Sequence, residues 1–221
     1  MTADTLTEEI LVLGDSHSPV FNHPSFGETF RDYCFKVVTV IGATASGLEN
    51  PNTKTQAYPI FKQALGQSSA SKVIVMLGEV DTGFVIWYRA HKYRESVTAM
   101  MERAIASYSN FLLEVAAQRE VICISTPLPT IKDGNDWGEV ANLRREVTAT
   151  QVERTALTLQ FNRAMQAFCR QHGFRYIMLD EDSIGDNGVV SDLLLNRDPT
   201  DHHYDQDRYA GLLTGKLRDI L

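Results

Sequence analysis

Hydrophobic residues along the chain come in short, nearly continuous runs that are separated by longer mixed segments. Five such runs are rich in β-branched residues: 10–13, 37–41, 72–77, 120–125 and 175–179. A continuous apolar run, unlike an alternating one, is typical of a parallel strand that is buried on both faces. We therefore predict five strands of a mostly parallel sheet.

The segments between these runs carry apolar residues at helical spacing. In residues 148–172 the spacing is clearest, with Leu157, Phe161 and Met165 on one side of a helix. Residues 93–118 predict a second helix, and residues 205–221 a closing helix with Asp205 as its N-cap. Strands that alternate with helices predict an α/β fold, a three-layer α/β/α sandwich. Without a repeat or a linker, residues 1–221 are expected to form one domain.

Three polar, glycine-bearing loops follow the first three predicted strands, at residues 14–17, 42–52 and 78–83. The carboxyl ends of parallel strands lie at one edge of a sheet, where open α/β folds bind their ligands. We therefore expect the three loops to meet in one crevice. Ser16 lies in the first loop, directly after a buried strand.

A serine hydroxyl becomes a good nucleophile only when a base removes its proton, and histidine suits that task near neutral pH. Of the six histidines, His202 and His203 lie in a polar loop before the closing helix, close to Asp198 and Asp201. A neighbouring carboxylate would orient the imidazole. Ser16 and this distant loop are thus candidates for a Ser-His-Asp site.

Four segments together resemble the sequence blocks of the SGNH (GDSL-type) hydrolases. The first block is matched by Gly-Asp-Ser-His at 14–17, the second by Ala-Ser-Gly at 45–47, and the third by Gly-Glu-Val-Asp at 78–81. The fifth block, an aspartate and a histidine before the last helix, corresponds to residues 198–203. The four segments occur in the same order as the family's blocks and are distributed over nearly the whole chain.

The resemblance implies a flavodoxin-like sheet and a serine hydrolase of the esterase or acetylesterase type, acting on a small-molecule or glycan ester. By the same resemblance Ser16 would be the nucleophile, and its backbone N–H would help to bind the oxyanion. Gly47 would supply a second oxyanion donor, and Asp81 would support the crevice.

The third block departs from the family at Val80, where the family has an asparagine that donates to the oxyanion. Loss of one such donor typically lowers the rate by about 10²–10³. Either Asn50 or Asn52 compensates, or the site works with two backbone donors, or the protein is not a conventional esterase.

The fifth block departs in its spacing, since Asp-x-x-His would place the acid at Pro199 or Thr200. His203 fits the family pattern better than His202, because an apolar residue and then a helix N-cap follow it. We therefore predict His203 as the base. Asp201 is slightly favoured over Asp198 as the acid that orients it.

The composition narrows the possible partners. A net charge of −7 and a pI near 5.4, without a basic stripe, argue against a nucleic-acid partner. No apolar run approaches the roughly 20 residues that cross a membrane. Three distant cysteines without metal spacing are interpreted as buried, reduced thiols of a cytoplasmic protein: Cys34, Cys123 and Cys169.

Neither a metal nor another cofactor is expected. The acidic stretch around Asp180, Asp182 and Asp186 lacks calcium-loop ligands at Ile184 and Ser191. Two alternatives to an esterase stay open: an acyltransferase that passes the acyl group to a sugar hydroxyl, and a non-catalytic binding module. The oligomeric state also stays open.

Overall fold

The computed structural model describes residues 7–134 and 148–221. Their five strands form one sheet in the order β2-β1-β3-β4-β5, with every neighbouring pair parallel. The strands are β1 (Glu8–Gly14), β2 (Tyr33–Thr39), β3 (Lys72–Met76), β4 (Glu120–Ile124) and β5 (Arg175–Ile177). The predicted parallel sheet is confirmed.

Seven α-helices accompany this sheet in the described part of the chain. They are α1 (Pro24–Thr29), α2 (Ala57–Gln67), α3 (Ile86–Tyr93), α4 (Val97–Ala116), α5 (Gln151–His172), α6 (Asp180–Ser183) and α7 (Gln206–Leu217). A π-helical turn, Asp81–Val85, leads into α3, and the segment Ala45–Gly47 forms a 3₁₀ turn. None of the helices in the described ranges is long and apolar enough to cross a bilayer.

The two faces of the sheet pack against different helices, because successive side chains of a strand point to opposite faces. Leu11 and Leu13 pack on one side, in a core that includes Phe61 of α2, Phe111 of α4 and Phe161 of α5. On the other side lies a second core, which includes residues of α1 and α7 such as Phe26 and Leu213, together with Ile10 and Val12 of β1. The predicted three-layer sandwich is confirmed.

Some predicted boundaries were wrong. The second strand ends at Thr39 rather than at Ile41, a residue that is 79% exposed. The helix predicted over 93–118 is two helices, because Arg94 takes a left-handed conformation with φ of 54° and ends α3. Ser96 then starts α4, and its side chain accepts a hydrogen bond from the backbone N–H of Ala99 at 3.0 Å.

The prediction for the cysteines was right for two of three. Cys123 and Cys169 are buried, and neither forms a disulfide. Cys34 is exposed, so that prediction was wrong for it. The physical reason is that β2 lies at the edge of the sheet, where one side of a strand has no neighbour to cover it.

Asp205 does cap α7, as predicted, and accepts from the N–H of Arg208 at 3.1 Å.

The turn after β3 needs a glycine at position 78. Its φ of +125° lies outside the range of ordinary side chains, and an added Cβ would overlap the hydroxyl of Thr126. Gly78→Ala should therefore lower the free energy of unfolding by about 3 kcal/mol in urea denaturation. Gly211→Ala in α7, where nothing lies within 4 Å of the added carbon, is the control and should stabilise slightly. Equal midpoints for the two variants would contradict this account of the turn.

Candidate active site

Ser16 lies on the turn that follows β1. The N–H of Asp15 donates to the carbonyl of Met76 at 3.3 Å, which holds this turn against β3. The hydroxyl of Ser18 donates back to the Asp15 carbonyl at 2.7 Å. Within the described ranges, neither the N–H nor the hydroxyl of Ser16 forms a hydrogen bond. Ser16 is partly exposed, so both groups are available to a ligand.

His203 is paired with Asp201. The oxygen Oδ1 of Asp201 lies 2.6 Å from Nδ1 of His203 and accepts from the His203 backbone N–H at 2.9 Å. Asn196 donates to the other carboxylate oxygen at 3.0 Å. Burial opposes ionisation of Asp201, but the hydrogen bonds from His203 outweigh it and hold the pKa of this carboxyl below its ordinary value.

Asp198, the other acid that the sequence allowed, is hydrogen-bonded to Thr200 rather than to the imidazole. Its carboxylate accepts from the N–H and the hydroxyl of Thr200, at 2.8 and 2.7 Å. These bonds close a local turn of the loop. Of the two acids, it is Asp201 that contacts His203; its catalytic role stays a prediction.

The other ring nitrogen of His203, Nε2, is buried and has no hydrogen-bond partner among the described residues. Buried polar atoms rarely go unpaired, so an orphaned nitrogen indicates a place where a ligand or a reacting group belongs. The structure shows no hydrogen bond between His203 and Ser16. Catalytic hydrogen bonds are often long before substrate binds.

The two ends of the chain meet through His17. Its ring centroid lies 4.7 Å from that of His203, with the ring planes inclined at 57°. Since His17 follows Ser16 directly, this contact places the first loop beside the loop before α7, as the predicted crevice requires.

His17 itself forms an aspartate–histidine pair that sequence reasoning missed. Oδ1 of Asp15 accepts from the His17 backbone N–H at 2.9 Å and lies 3.1 Å from Nδ1 of the ring. Burial alone would lower the pKa of His17, but the carboxylates of Asp15, Glu79 and Asp201 outweigh it and raise that pKa. The sequence contains a pattern that could have revealed this pair, because Asp-x-His occurs at 15–17 and again at 201–203.

Asp81 joins the second and third loops. Its fully buried carboxylate accepts from the backbone N–H groups of Ala45 and Ser46, at 2.6 and 3.1 Å. Burial raises the pKa of Asp81 to about 6 despite these bonds. Asp81 thus ties the second loop to the third, and its supporting role in the site stays a prediction.

Gly47 lies in the loop that Asp81 holds, but its N–H is already engaged. It donates to the carbonyl of Thr44 at 3.1 Å. An oxyanion would therefore have to share this proton with Thr44. An added Cβ would lie 2.5 Å from the Thr44 hydroxyl, so the position has room only for glycine.

Whether Asn50 or Asn52 replaces the donor that is missing at Val80 stays a prediction. The side-chain oxygen of Asn50 accepts from the N–H of Asn52 at 3.0 Å. Asn50 also lines a cavity of about 470 Å³ between α2 and α4, whose walls include neither Ser16 nor His203.

One group of residues has the proximity that a metal site needs. Within the described ranges, possible ligand atoms of Asp201, His202 and His203 lie within 4.8 Å of one another. Asp201 and His203 are already hydrogen-bonded to each other, and all three residues come from one loop. We therefore assign no metal to this group.

Comparison with known proteins finds no matching family model and no matching curated protein. Solved structures do match. A carbohydrate acetylesterase from Sinorhizobium meliloti has a TM-score of 0.62 at 12% identity, over 97% of this chain and 100% of the other. A GDSL-like lipase from Bacteroides thetaiotaomicron has a TM-score of 0.60 at 15% identity, over 97% and 89%. An acetyl xylan esterase has a TM-score of 0.59 at 10% identity, over 96% and 99%. At these identities the likeness shows a shared fold.

The raised pKa of Asp81 predicts a pH-dependent stability. Because this pKa is about 6 in the fold and ordinarily 3.8, the protonated form is favoured by folding. The stability that Asp81 contributes is thus complete below pH 3.8 and is lost as pH rises through 6, by about 3 kcal/mol. Asp81→Asn removes this titration.

Thermal unfolding of both proteins at pH 4 and pH 7 measures the effect. The variant should gain stability relative to the unmodified protein on going from pH 4 to pH 7. A difference between the two proteins that does not change with pH would show that Asp81 does not titrate in this range.

Proposed function

Since the chain has the SGNH-hydrolase fold, we propose that it is a serine esterase that cleaves an O-acyl ester. The observation that carries this proposal is the Asp201–His203 pair, whose buried Nε2 has no described partner. It lies on a loop that contacts His17, the residue next to Ser16. A shielded base nitrogen and a serine on neighbouring loops, both without a partner among the described residues, suit acyl transfer.

In the proposed reaction the Ser16 oxygen attacks the ester carbonyl while Nε2 of His203 takes the hydroxyl proton. Asp201 keeps the imidazole oriented and stabilises its charged form. The oxyanion accepts from the Ser16 N–H, which has no partner among the described residues, and from the Gly47 N–H, which it shares with Thr44. His203 then protonates the leaving alcohol, which leaves an acyl group on Ser16. Water releases this group by the reverse sequence of proton transfers.

For the substrate we propose a small acyl group, most simply acetyl, on a carbohydrate or another small alcohol. Two of the matching structures support this class, a carbohydrate acetylesterase and an acetyl xylan esterase. The partly exposed Ser16 at the end of a strand also suits a substrate that approaches from solvent.

We further propose a cytoplasmic location and a single domain over residues 1–221. The location is supported by the state of the cysteines, since Cys34, Cys123 and Cys169 all carry free thiols. Free thiols are usual in a reducing compartment.

Replacing the nucleophile tests the reaction. Ser16→Ala should lower kcat for 4-nitrophenyl acetate by about 10⁴ or more, because no acyl-enzyme can form. Circular dichroism should show an unchanged fold. A fluorophosphonate probe should label the unmodified protein on Ser16 and leave the variant unlabelled. Full turnover in the variant would refute the proposed function.

Replacing each candidate acid tests which one orients the base. Asp201→Asn should lower kcat by about 10²–10⁴, because the amide no longer stabilises the His203 imidazolium. Asp198→Asn, a change of the same size on the same loop, should leave kcat within about twofold, since Asp198 binds Thr200 instead. A larger loss for Asp198→Asn than for Asp201→Asn would reverse the assignment.

A further inference from the structure

The site contains two aspartate–histidine pairs built in the same way. In each, one carboxylate oxygen accepts from the backbone N–H of the histidine two residues later and lies against Nδ1 of that ring. The distances are 2.9 and 3.1 Å for Asp15 with His17, and 2.9 and 2.6 Å for Asp201 with His203. The proposed reaction uses only the second pair.

The two pairs face each other through their rings. The centroids of His17 and His203 are 4.7 Å apart, and His202 lies 4.2 Å from His203 and 6.4 Å from His17. Positive charges this close repel each other strongly when they are shielded from water. The first proton that enters the group should therefore make a second proton harder to bind, as in other coupled titrations.

We propose that His17 is a positioning residue that holds this proton beside His203 and so keeps His203 neutral and able to act as the base. The proposal rests on the esterase function proposed above. It requires that the proton prefer His17 to His203, and the charged groups around the two rings decide that preference.

Carboxylates from three parts of the chain face His17. Asp15 comes from its own turn, Glu79 from the loop after β3, and Asp201 from the loop before α7. Together they raise the pKa of His17 although the residue is only 3% exposed. The negative charges around His17 therefore favour its charged form, and they outweigh the effect of burial.

Three further titratable groups lie near the two rings, namely the imidazole of His202 and the phenols of Tyr204 and Tyr209. His203 has Asp201 as its hydrogen-bonded carboxylate, and the imidazoles of His17 and His202 lie on its other sides. Tyr209 lies near Asp15 and Tyr204 near Glu79, and burial raises the pKa of both phenols, so they stay neutral.

A charged His17 would help at two points of the reaction. It disfavours protonation of His203 in the free enzyme, so the base stays available in mildly acidic solution. Once His203 has taken the proton of Ser16, the same charge makes its imidazolium a stronger acid toward the leaving alcohol. His17 neither donates nor accepts a proton in either step.

The test compares His17→Asn with the unmodified protein across pH 5–9, with 4-nitrophenyl acetate as substrate. The amide is neutral and can still donate to Asp15. On the acidic side of the profile, the pH at which kcat/KM falls to half of its plateau should rise by about one unit. At pH values below this midpoint, kcat/KM should be about tenfold lower in the variant. The plateau above pH 8.5 should stay within about threefold. His23→Asn is the control, because His23 also contacts an aspartate, Asp207, but on the surface; its profile should not move.

Nitrogen-15 NMR of the histidine rings supplies a readout that needs no turnover. In the Ser16→Ala background, His17 should keep its proton to higher pH than His203, and adding His17→Asn should raise the titration midpoint of His203. An unchanged or lowered His203 midpoint, or an equal loss of activity at every pH, would overturn the role of His17. Should His17→Asn not fold, the order of the two midpoints in Ser16→Ala alone decides, and the reverse order overturns the proposal.

These outcomes separate the two proposals. Failure of the esterase function appears as full activity in Ser16→Ala. Failure of the His17 proposal appears in the ring titrations, whatever the activity of the protein.

Discussion

The position of β1 between β2 and β3 is the constraint on which the site depends. Parallel pairing places Gly14 beside Thr39 on one neighbour and beside Met76 on the other. All three strands therefore end at the same edge of the sheet, and the loops that follow them lie next to one another. The backbone hydrogen bonds of the sheet alone bring three loops together. These loops carry Ser16, the segment that Asp81 binds, and Glu79.

Buried charge is the second feature of this region. Asp15, His17, Glu79 and Asp81 are all at most 5% exposed. Ionised groups in such places are costly unless they are paired, and each pairing seen here restricts a loop. Asp81 fixes the turn at Ala45 and Ser46, and Asp15 fixes the turn that carries Ser16. The acidic groups thus order the site, and the carboxylates of Asp15 and Glu79 also raise the pKa of His17.

Sequence patterns predicted the sheet well and its boundaries less well. Continuous β-branched runs identify buried strands because burial on both faces leaves little choice of residue. The ends of elements depend on single residues instead, such as the left-handed Arg94 that divides the helix predicted over 93–118. Cys34 shows the same limit, because its exposure follows from the place of β2 in the sheet order.

The sequence by itself determined that Ser16 follows a buried strand, that a polar loop with two histidines precedes the last helix, and that Val80 cannot donate to an oxyanion. Only the tertiary structure decided that Asp201 rather than Asp198 contacts His203, that the Gly47 amide is bound to Thr44, and that His17 packs against His203. The physical reason is the range of the interactions. Hydrophobic patterning is local and repeats along the chain, whereas the direction of a loop side chain depends on partners that are distant in sequence.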